Sequence, residues 1–277
     1  MNELKFKCTA CGDCCNSTPS MTIFESIRLS DKFISVFRIT NILDADKLFK
    51  TNKDALYDHA VLYKNKGSKR HFIEIIADTI QPYATKKCSA KGIDNLCEIY
   101  EERPEICRMI PFRTRYGTGP SYNEYLLQET FFKNKNYPCA KNRDEAPVVM
   151  DKKGFKDQWF KNHQYSKKII ENDKKLLEEM IKQKNEYIIF FEKQPAITTD
   201  NVSSYRQHPL PISLLFKELL KSKIYSKEDI IRYCNNQVKL INEELNKDLS
   251  INKKDMYESL LNSNNKILEE LSIGWLI

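Results

Sequence analysis

The sequence predicts a mainly α fold with a small irregular β element (α+β), organised as a metal-stapled cysteine domain followed by a helical C-terminal half. Two observations predict this architecture. Eight of the nine cysteines lie within the first 139 residues, and the second half of the chain repeats apolar residues at helical spacing. We therefore place a cysteine-cluster metal-binding domain at residues 1–150 and a helical domain at residues 151–277.

The composition is typical of a soluble globular protein, with 41% hydrophobic and 30% charged residues. No apolar run approaches the ~20 residues that cross a bilayer, and the first residues hold charge and cysteines where a signal sequence would be apolar. We therefore expect a cytoplasmic protein whose thiols stay reduced. Its net charge of +7 is spread over intermixed lysines and acids, so nucleic acid is not an expected partner.

The first cysteine group lies in the segment KCTACGDCCN, which holds Cys8, Cys11, Cys14 and Cys15. A Cys-x2-Cys pair points two sulfurs at one metal, and the extended Cys-x2-Cys-x2-Cys spacing is able to wrap an iron–sulfur cubane. Adjacent side chains diverge, so Cys14 and Cys15 are expected to serve neighbouring metals or two sides of one cluster. Gly12 allows the tight turn that this geometry needs. Reduced thiols without a metal and disulfides remain alternatives.

Between the cysteine groups, residues 21–37 and 41–63 have apolar residues near helical spacing and are predicted as helices. Residues 72–76 form the best strand candidate, with residues 61–63 as a partner strand. Residues 120–132 are predicted as a helix or a strand.

The second cysteine group lies in the segment CSAKGIDNLCEIYEERPEICRMIPF, which holds Cys88, Cys97 and Cys107. Pro104 is able to open a short helix that carries Cys107, and the proline at position 111 would end it. The fourth member of this group is expected to be Cys139, within NYPCAKN. The eight cysteines would then form two groups of four, with the membership of each group left open.

The second half of the chain is predicted to be helical over residues 155–191, followed by a polar loop over residues 194–211. Three further helices are expected at residues 212–221, 226–245 and 254–271. The second of these opens on Ser226 and Asp229, which resemble a capping box. Cys234 lies inside this helix and is predicted to be a buried thiol that binds no metal.

The ligand chemistry favours iron–sulfur over zinc. None of the four histidines has ligand spacing to a cysteine or to another histidine, and mixed cysteine and histidine sites are common for zinc. Arg103 and Arg108 are expected to offset the negative charge of a thiolate cluster and to tune its reduction potential. The alternative for both arginines is an ion pair with the neighbouring glutamates. Tyr100 is expected to pack beside the cluster.

The combined pattern, CxxCxxCC followed by C-x8-C-x-I-Y-x-x-R-P-x-x-C-R-x-x-P-F, resembles the YkgJ-type cysteine-cluster family. The resemblance covers roughly residues 5–142. It implies a zinc- or iron-chelating domain, and therefore an iron–sulfur cluster, for which 4Fe–4S is the expected form, or zinc. Larger relatives that carry this domain methylate lysines of flagellin, which implies a lysine N-methylase only weakly. The matching positions are Cys8, Cys11, Cys14, Cys15, Cys88, Cys97, Tyr100, Arg103, Pro104, Cys107, Arg108, Pro111, Phe112 and Cys139.

Three functions stay open at this point. The first is a metal-cluster protein in redox or structural service. The second is a protein-lysine N-methylase-like enzyme that would use S-adenosylmethionine and a protein substrate, although the chain has no glycine-rich nucleotide motif and no nucleophile elbow. The third is a metal-stabilised adaptor whose helical half binds a protein partner.

Overall fold

The computed structural model describes residues 4–9, 12, 18–42, 61–64, 70–82, 87–108, 110, 139, 145–151, 154–182, 197–198 and 204–274. The strands are β1 (Leu4–Lys5), β2 (Ser20–Met21), β3 (Ser35–Ile42), β4 (Val61–Lys64), β5 (Arg70–Thr79), β6 (Val148–Asp151), β7 (Gly154–Phe155), β8 (Ile197–Thr198) and β9 (Ser204–Pro209). The helices are α1 (Ile23–Arg28), α2 (Glu105–Arg108), α3 (Asp157–Lys182), α4 (Ile212–Lys221), α5 (Lys227–Leu245) and α6 (Ile251–Ser272).

The main sheet has six antiparallel strands, built around the long strand β5. Its order is β2-β5-β3-β9-β8, and β4 also pairs with β5. Strand β3 pairs with β5 along its whole length, with Phe37 opposite Ala77 and Ile39 opposite Ile75. These four side chains are buried because alternate residues of a strand face the same side of the sheet.

A second sheet of three short strands has the order β1-β6-β7. The Phe6 backbone N–H donates to the Pro147 carbonyl at 3.1 Å, and the Phe6 ring meets the Trp159 ring edge-on with centroids 5.7 Å apart. Phe6, which is two residues before Cys8, is therefore held against the region around residue 150.

One hydrophobic core draws on both halves of the chain. It combines α1 and strands β3 and β5 with buried residues of α3, α4 and α5. The Asp173 carboxylate of α3 accepts the backbone N–H groups of Ile23 and Phe24 at 2.6 and 3.3 Å, which caps the start of α1. Residues on both sides of residue 150 therefore share a core, and the division into two domains stays a prediction.

The predicted mainly α plus β fold is confirmed, and several of its elements lie where the sequence placed them. Strands β4 and β5 pair as expected. A short helix follows Pro104, and α4 has the predicted bounds. The Ser226 hydroxyl accepts the Asp229 backbone N–H at 3.1 Å at the start of α5, which confirms the capping box.

Other elements differ from the prediction. Residues 21–37 hold the end of β2, the short helix α1 and the beginning of β3, because the alternating burial of Phe37 and Ile39 satisfies a strand and not a helix. Residues 41–42, predicted as the start of a helix, belong to β3. Residues 61–63 fell both in that helix and in the predicted partner strand, and they form part of β4. The predicted loop at residues 194–211 contains β8 and β9. Strand β9 pairs with β3 and β8 pairs with β9, and these backbone hydrogen bonds need no apolar side chains.

Some predictions fall outside the described residues. These are the helix over residues 43–60, the element at residues 120–132, the role of Pro111, and the continuation of α3 over residues 183–191. Within the described part of the chain, no helix is both long and apolar enough to cross a membrane.

Candidate metal centre

Cys88 and Cys97 lie at the two ends of a tight loop, here called the cysteine loop (residues 88–98). The Lys91 backbone N–H donates to the Cys88 carbonyl at 3.1 Å, and the Glu98 N–H donates to the Ala90 carbonyl at 2.9 Å. Lys91 and Cys97 form an antiparallel bridge. Both cysteines pack against the main core. The loop therefore turns back on itself, and both of its cysteines lie against the main core.

The tip of the cysteine loop is closed by a tight turn. The Gly92 N–H donates to the Leu96 carbonyl at 2.8 Å, and the Asn95 N–H donates back to the Gly92 carbonyl at 3.1 Å. Asn95 adopts a left-handed conformation with φ of 66°, which asparagine tolerates better than most residues. The Leu96 N–H donates to the Asp94 side chain at 3.0 Å. Local hydrogen bonds thus help to shape this loop.

The N-terminal cysteine segment contacts the cysteine loop through Gly12. This glycine lies between Cys11 and Cys14, is buried, and has φ of +74°. Its carbonyl accepts the Lys91 ammonium at 3.2 Å. A Cβ at this position would lie 2.6 Å from Lys91 Nζ and 3.2 Å from the Asn95 carbonyl oxygen. Only a glycine fits without displacing the lysine, so Gly12 packs directly on the cysteine loop.

The segment between Cys97 and Cys107 runs through two turns into α2. The Tyr100 N–H donates to the Cys97 carbonyl at 3.2 Å, and the Cys107 N–H donates to the Pro104 carbonyl at 2.9 Å. Ile99 and Pro104 are buried between these turns. Buried side chains therefore fix both ends of the segment that carries the two cysteines.

Arginine side chains hold the carbonyls of this segment. Arg28 of α1 donates to the Glu102 carbonyl at 2.8 Å and to the Tyr165 hydroxyl at 3.3 Å. Arg108 donates to the Arg103 carbonyl at 2.8 Å and also to the Glu101 carbonyl. The Arg108 guanidinium lies 4.7 Å from the centre of the Tyr165 ring.

Glu25 links α1 to α2, at the end of the segment between Cys97 and Cys107. Its carboxylate accepts the backbone N–H of Glu105, the first residue of α2, and also lies 3.4 Å from the Thr22 backbone nitrogen. Burial, and then the charge of Glu105, raise the pKa of Glu25 to about 8. Burial of Tyr165 likewise raises the pKa of its hydroxyl, and the charge of Glu25 raises it further. At neutral pH, a mostly protonated Glu25 carboxyl thus contacts backbone N–H groups at the starts of both α1 and α2.

The other predicted site residues have distinct environments. Arg103 stacks on Tyr100 with its guanidinium 3.8 Å from the ring centre, and Tyr100 is 46% exposed. Cys8 is exposed, whereas Cys107 and Cys139 are half-buried. Cys234 is completely buried, as predicted, and burial raises its pKa to about 12.

Three members of the predicted ligand set, Cys11, Cys14 and Cys15, lie outside the described residues. Among the residues that the structure does describe, no three cysteine, histidine, aspartate or glutamate side chains meet in a group able to hold a metal ion. The structure brings Gly12 against the cysteine loop, and it joins this loop to α2 through the turns after Cys97. The ligand set of eight cysteines stays a prediction.

Sequence reasoning missed the residues that support this arrangement. Lys91, Glu25 and Arg28 act through contacts with residues far away in the chain, which spacing alone does not reveal. A local signal existed for one of them. The sequence TIFE, from Thr22 to Glu25, has the form of a capping box, and the structure shows both of its hydrogen bonds.

Comparison with known proteins gives one match. Residues 7–140 match the family model named CxxCxxCC, described as a "putative zinc- or iron-chelating domain". No curated protein and no solved structure matches the chain. The matched range contains both cysteine groups and the contact between Gly12 and Lys91. The predicted resemblance to the CxxCxxCC family is therefore confirmed over residues 7–140.

Proposed function

We propose that the protein binds a thiolate-ligated metal centre, and that this centre is an iron–sulfur cluster in redox service. The observation that carries the proposal is the packing of buried Gly12, from the CxxCxxCC segment, against Lys91 and Asn95 of the cysteine loop. The ligands we propose come from three stretches of chain. They are Cys8, Cys11, Cys14, Cys15, Cys88, Cys97, Cys107 and Cys139.

The donor chemistry supports iron–sulfur over zinc. All the proposed ligands are thiolates, which both metals accept, but the Cys-x2-Cys-x2-Cys spacing is that of a cubane-binding turn. His208 is the histidine whose side-chain environment is described, and it lies in β9, paired with Ile39 of the main sheet. That position is in the sheet and not in the cysteine loop. When bound, an iron–sulfur cluster supplies one-electron transfer.

The protein's own residues prepare the ligand-bearing segments. Hydrogen bonds shape the cysteine loop, while Glu25 and Arg28 of α1 hold the chain between Cys97 and Cys107. Arg108, next to Cys107 in sequence, adds a positive charge to this segment, which would offset part of the negative charge of bound thiolates. Metal binding would then add a cross-link between segments that are distant in sequence.

The test is anaerobic purification followed by iron, sulfide and zinc analysis and an absorption spectrum. We expect a brown protein with iron, acid-labile sulfide and thiolate-to-iron charge-transfer bands. Colourless protein with stoichiometric zinc would replace the redox role with a structural one. Folded protein with intact thiols and neither metal would contradict the proposal.

Cysteine variants locate the centre. Cys97→Ser and Cys107→Ser should each lower the metal content, because each removes one proposed ligand. Cys234→Ala is the matched control, since Cys234 is buried in α5 as part of the main core. Loss of metal in Cys234→Ala, or full metal in both serine variants, would show that the ligand set is wrong.

A further inference from the structure

Lys91 is placed to act on both cysteine groups at once, and this inference rests on the metal centre proposed above. Its backbone belongs to the cysteine loop. The Lys91 N–H donates to the Cys88 carbonyl at 3.1 Å, and Lys91 pairs with Cys97 across the antiparallel bridge. The main chain of this one residue is therefore tied to two of the proposed ligands.

The Lys91 side chain reaches the other cysteine group. Its ammonium lies 3.2 Å from the carbonyl oxygen of Gly12, which stands between Cys11 and Cys14 in sequence. The end of the aliphatic stem also lies close to Gly12, since a Cβ on this glycine would be 2.8 Å from Lys91 Cε and 2.6 Å from Nζ. Both the charge and the aliphatic stem of Lys91 thus lie against Gly12.

The Gly12 backbone leaves room for the lysine side chain. Gly12 is buried with φ of +74°, a conformation that a side chain would strain. The lack of a Cβ opens the space that Lys91 fills, and Asn95 closes the other side with its carbonyl. The backbone conformation of Gly12 and the reach of Lys91 are two separate observations that indicate the same contact.

We propose that Lys91 is a positioning residue for the metal centre: it fastens Gly12 of the CxxCxxCC segment to the cysteine loop and brings a positive charge to the two segments that carry the proposed thiolates. The hydrogen bond fixes the relative position of the two ligand-bearing segments. The ammonium lowers the electrostatic cost of gathering thiolates around one centre. Contacts that orient ligands in this way commonly contribute about 10- to 100-fold in metal affinity.

The experiment compares metal release from purified protein, carrying the metal that it acquires during expression, into a fixed excess of EDTA. Lys91→Met keeps most of the stem and removes both the charge and the donor, whereas Lys91→Arg keeps both. Lys239→Met, at an exposed position on α5, is the control for loss of one lysine charge. Circular dichroism of each variant monitors the fold.

We expect Lys91→Met to release metal about 10- to 100-fold faster than wild type, with unchanged helical content. We expect Lys91→Arg to restore slow release, and Lys239→Met to match wild type. In the iron–sulfur form, Lys91→Met should also lower the reduction potential, because a positive charge near the cluster is lost. Release from Lys91→Met at the wild-type rate would overturn the role of Lys91 while leaving the metal centre itself intact.

Gly12→Ala gives a second test that leaves the lysine in place. The new Cβ would displace the Lys91 ammonium, so this variant should also release metal faster. The double variant Gly12→Ala with Lys91→Met should be no worse than the more severe single variant, because both changes remove one contact. If the effects of the two changes on metal release added up in the double variant, the proposal that Gly12 and Lys91 act through one contact would be overturned. Wild-type protein that holds no thiolate-bound metal would instead remove the proposed function and this inference together.

Discussion

Glu25 shows how one buried side chain organises a site that it does not enter. Its carboxyl group caps α1 through Thr22 and accepts the first N–H of α2, the helix that carries Cys107. Loss of the Glu25 oxygens would leave the Glu105 N–H without this acceptor, at a place where both residues are buried. A contact of this kind joins two short helices that are far apart in sequence.

Replacing Glu25 should therefore separate the effect of its oxygens from that of its charge. We expect Glu25→Ala to lower the free energy of unfolding by about 1–3 kcal/mol, because a buried N–H loses its acceptor. Glu25→Gln keeps an acceptor oxygen and should cost less at pH 7, since a pKa of about 8 already leaves the carboxyl largely protonated. Chemical denaturation measures both, and equal losses would contradict this account.

Asp173 gives stability a defined pH dependence. Burial raises its pKa from 3.8 to about 7, against the lowering effect of the Ile23 and Phe24 N–H groups. A carboxyl with a raised pKa in the folded state contributes stability that is fully present below its unfolded pKa and is lost as the pH rises through the folded value. The contribution of Asp173 should therefore decline between about pH 4 and pH 8.

The measurement is the difference in unfolding free energy between wild type and Asp173→Asn at pH 5 and at pH 8. Asparagine keeps an acceptor for one N–H and cannot ionise. We expect the variant to gain stability relative to wild type as the pH rises, because only wild type must bury a charge at pH 8. A difference that is constant with pH would show that Asp173 does not titrate in this range.

At the scale of elements, α5 is held to the loop after α1 by Gln237. Its amide donates to the carbonyls of Ser30 and Phe33, both at 2.8 Å, and its oxygen accepts the Ser35 N–H at 2.9 Å. Gln237 is almost fully buried. Three backbone groups at the turn into β3 thus depend on one side chain of a helix about 200 residues further on.

We expect Gln237→Ala to destabilise the protein by about 1–3 kcal/mol or more, because it leaves several buried backbone groups without their partner. Asn235→Ala, two residues earlier on the exposed side of α5, is the matched control and should change stability by less than about 0.5 kcal/mol. Thermal or urea unfolding distinguishes the two. Similar losses from both variants would contradict the role given to the Gln237 contacts.

The same elements show what sequence reasoning was able to predict. Local signals identified β4 and β5, α4, and the start of α5 at Ser226. Strand β9 was missed because its sequence, SYRQHP, is polar and ends in proline, and it joins the sheet through backbone pairing with β3. At the candidate site, cysteine spacing indicated the ligands and Pro104 the short helix, but the contact of Lys91 with Gly12 depends on the tertiary fold.

At the scale of the whole molecule, the cysteine-rich part and the helical part share one core. Strand β9 pairs with β3, and α4 and α5 supply buried residues beside Phe37, including Phe216 and Tyr233. We propose that the boundary near residue 150 separates metal binding from support, and that the support is needed for folding.

A fragment of residues 1–150 should therefore not fold by itself. It would lose β9, α3, α4 and α5, and so expose the buried faces of α1, β3 and β5 to water. We expect an unfolded or aggregated fragment by circular dichroism and size-exclusion chromatography, with or without added iron and sulfide or zinc. A soluble fragment with cooperative unfolding would show that the cysteine-rich part has a core of its own.

X-ray absorption at the metal edge of the purified full-length protein tests the central claim most directly, because it reports the atoms that bind the metal. We predict a first shell of sulfur alone, at about 2.3 Å from the metal for either an iron–sulfur cluster or zinc, with a short iron–iron distance in addition if a cluster is present. A first shell of oxygen and nitrogen, or protein without bound iron or zinc, would contradict the account.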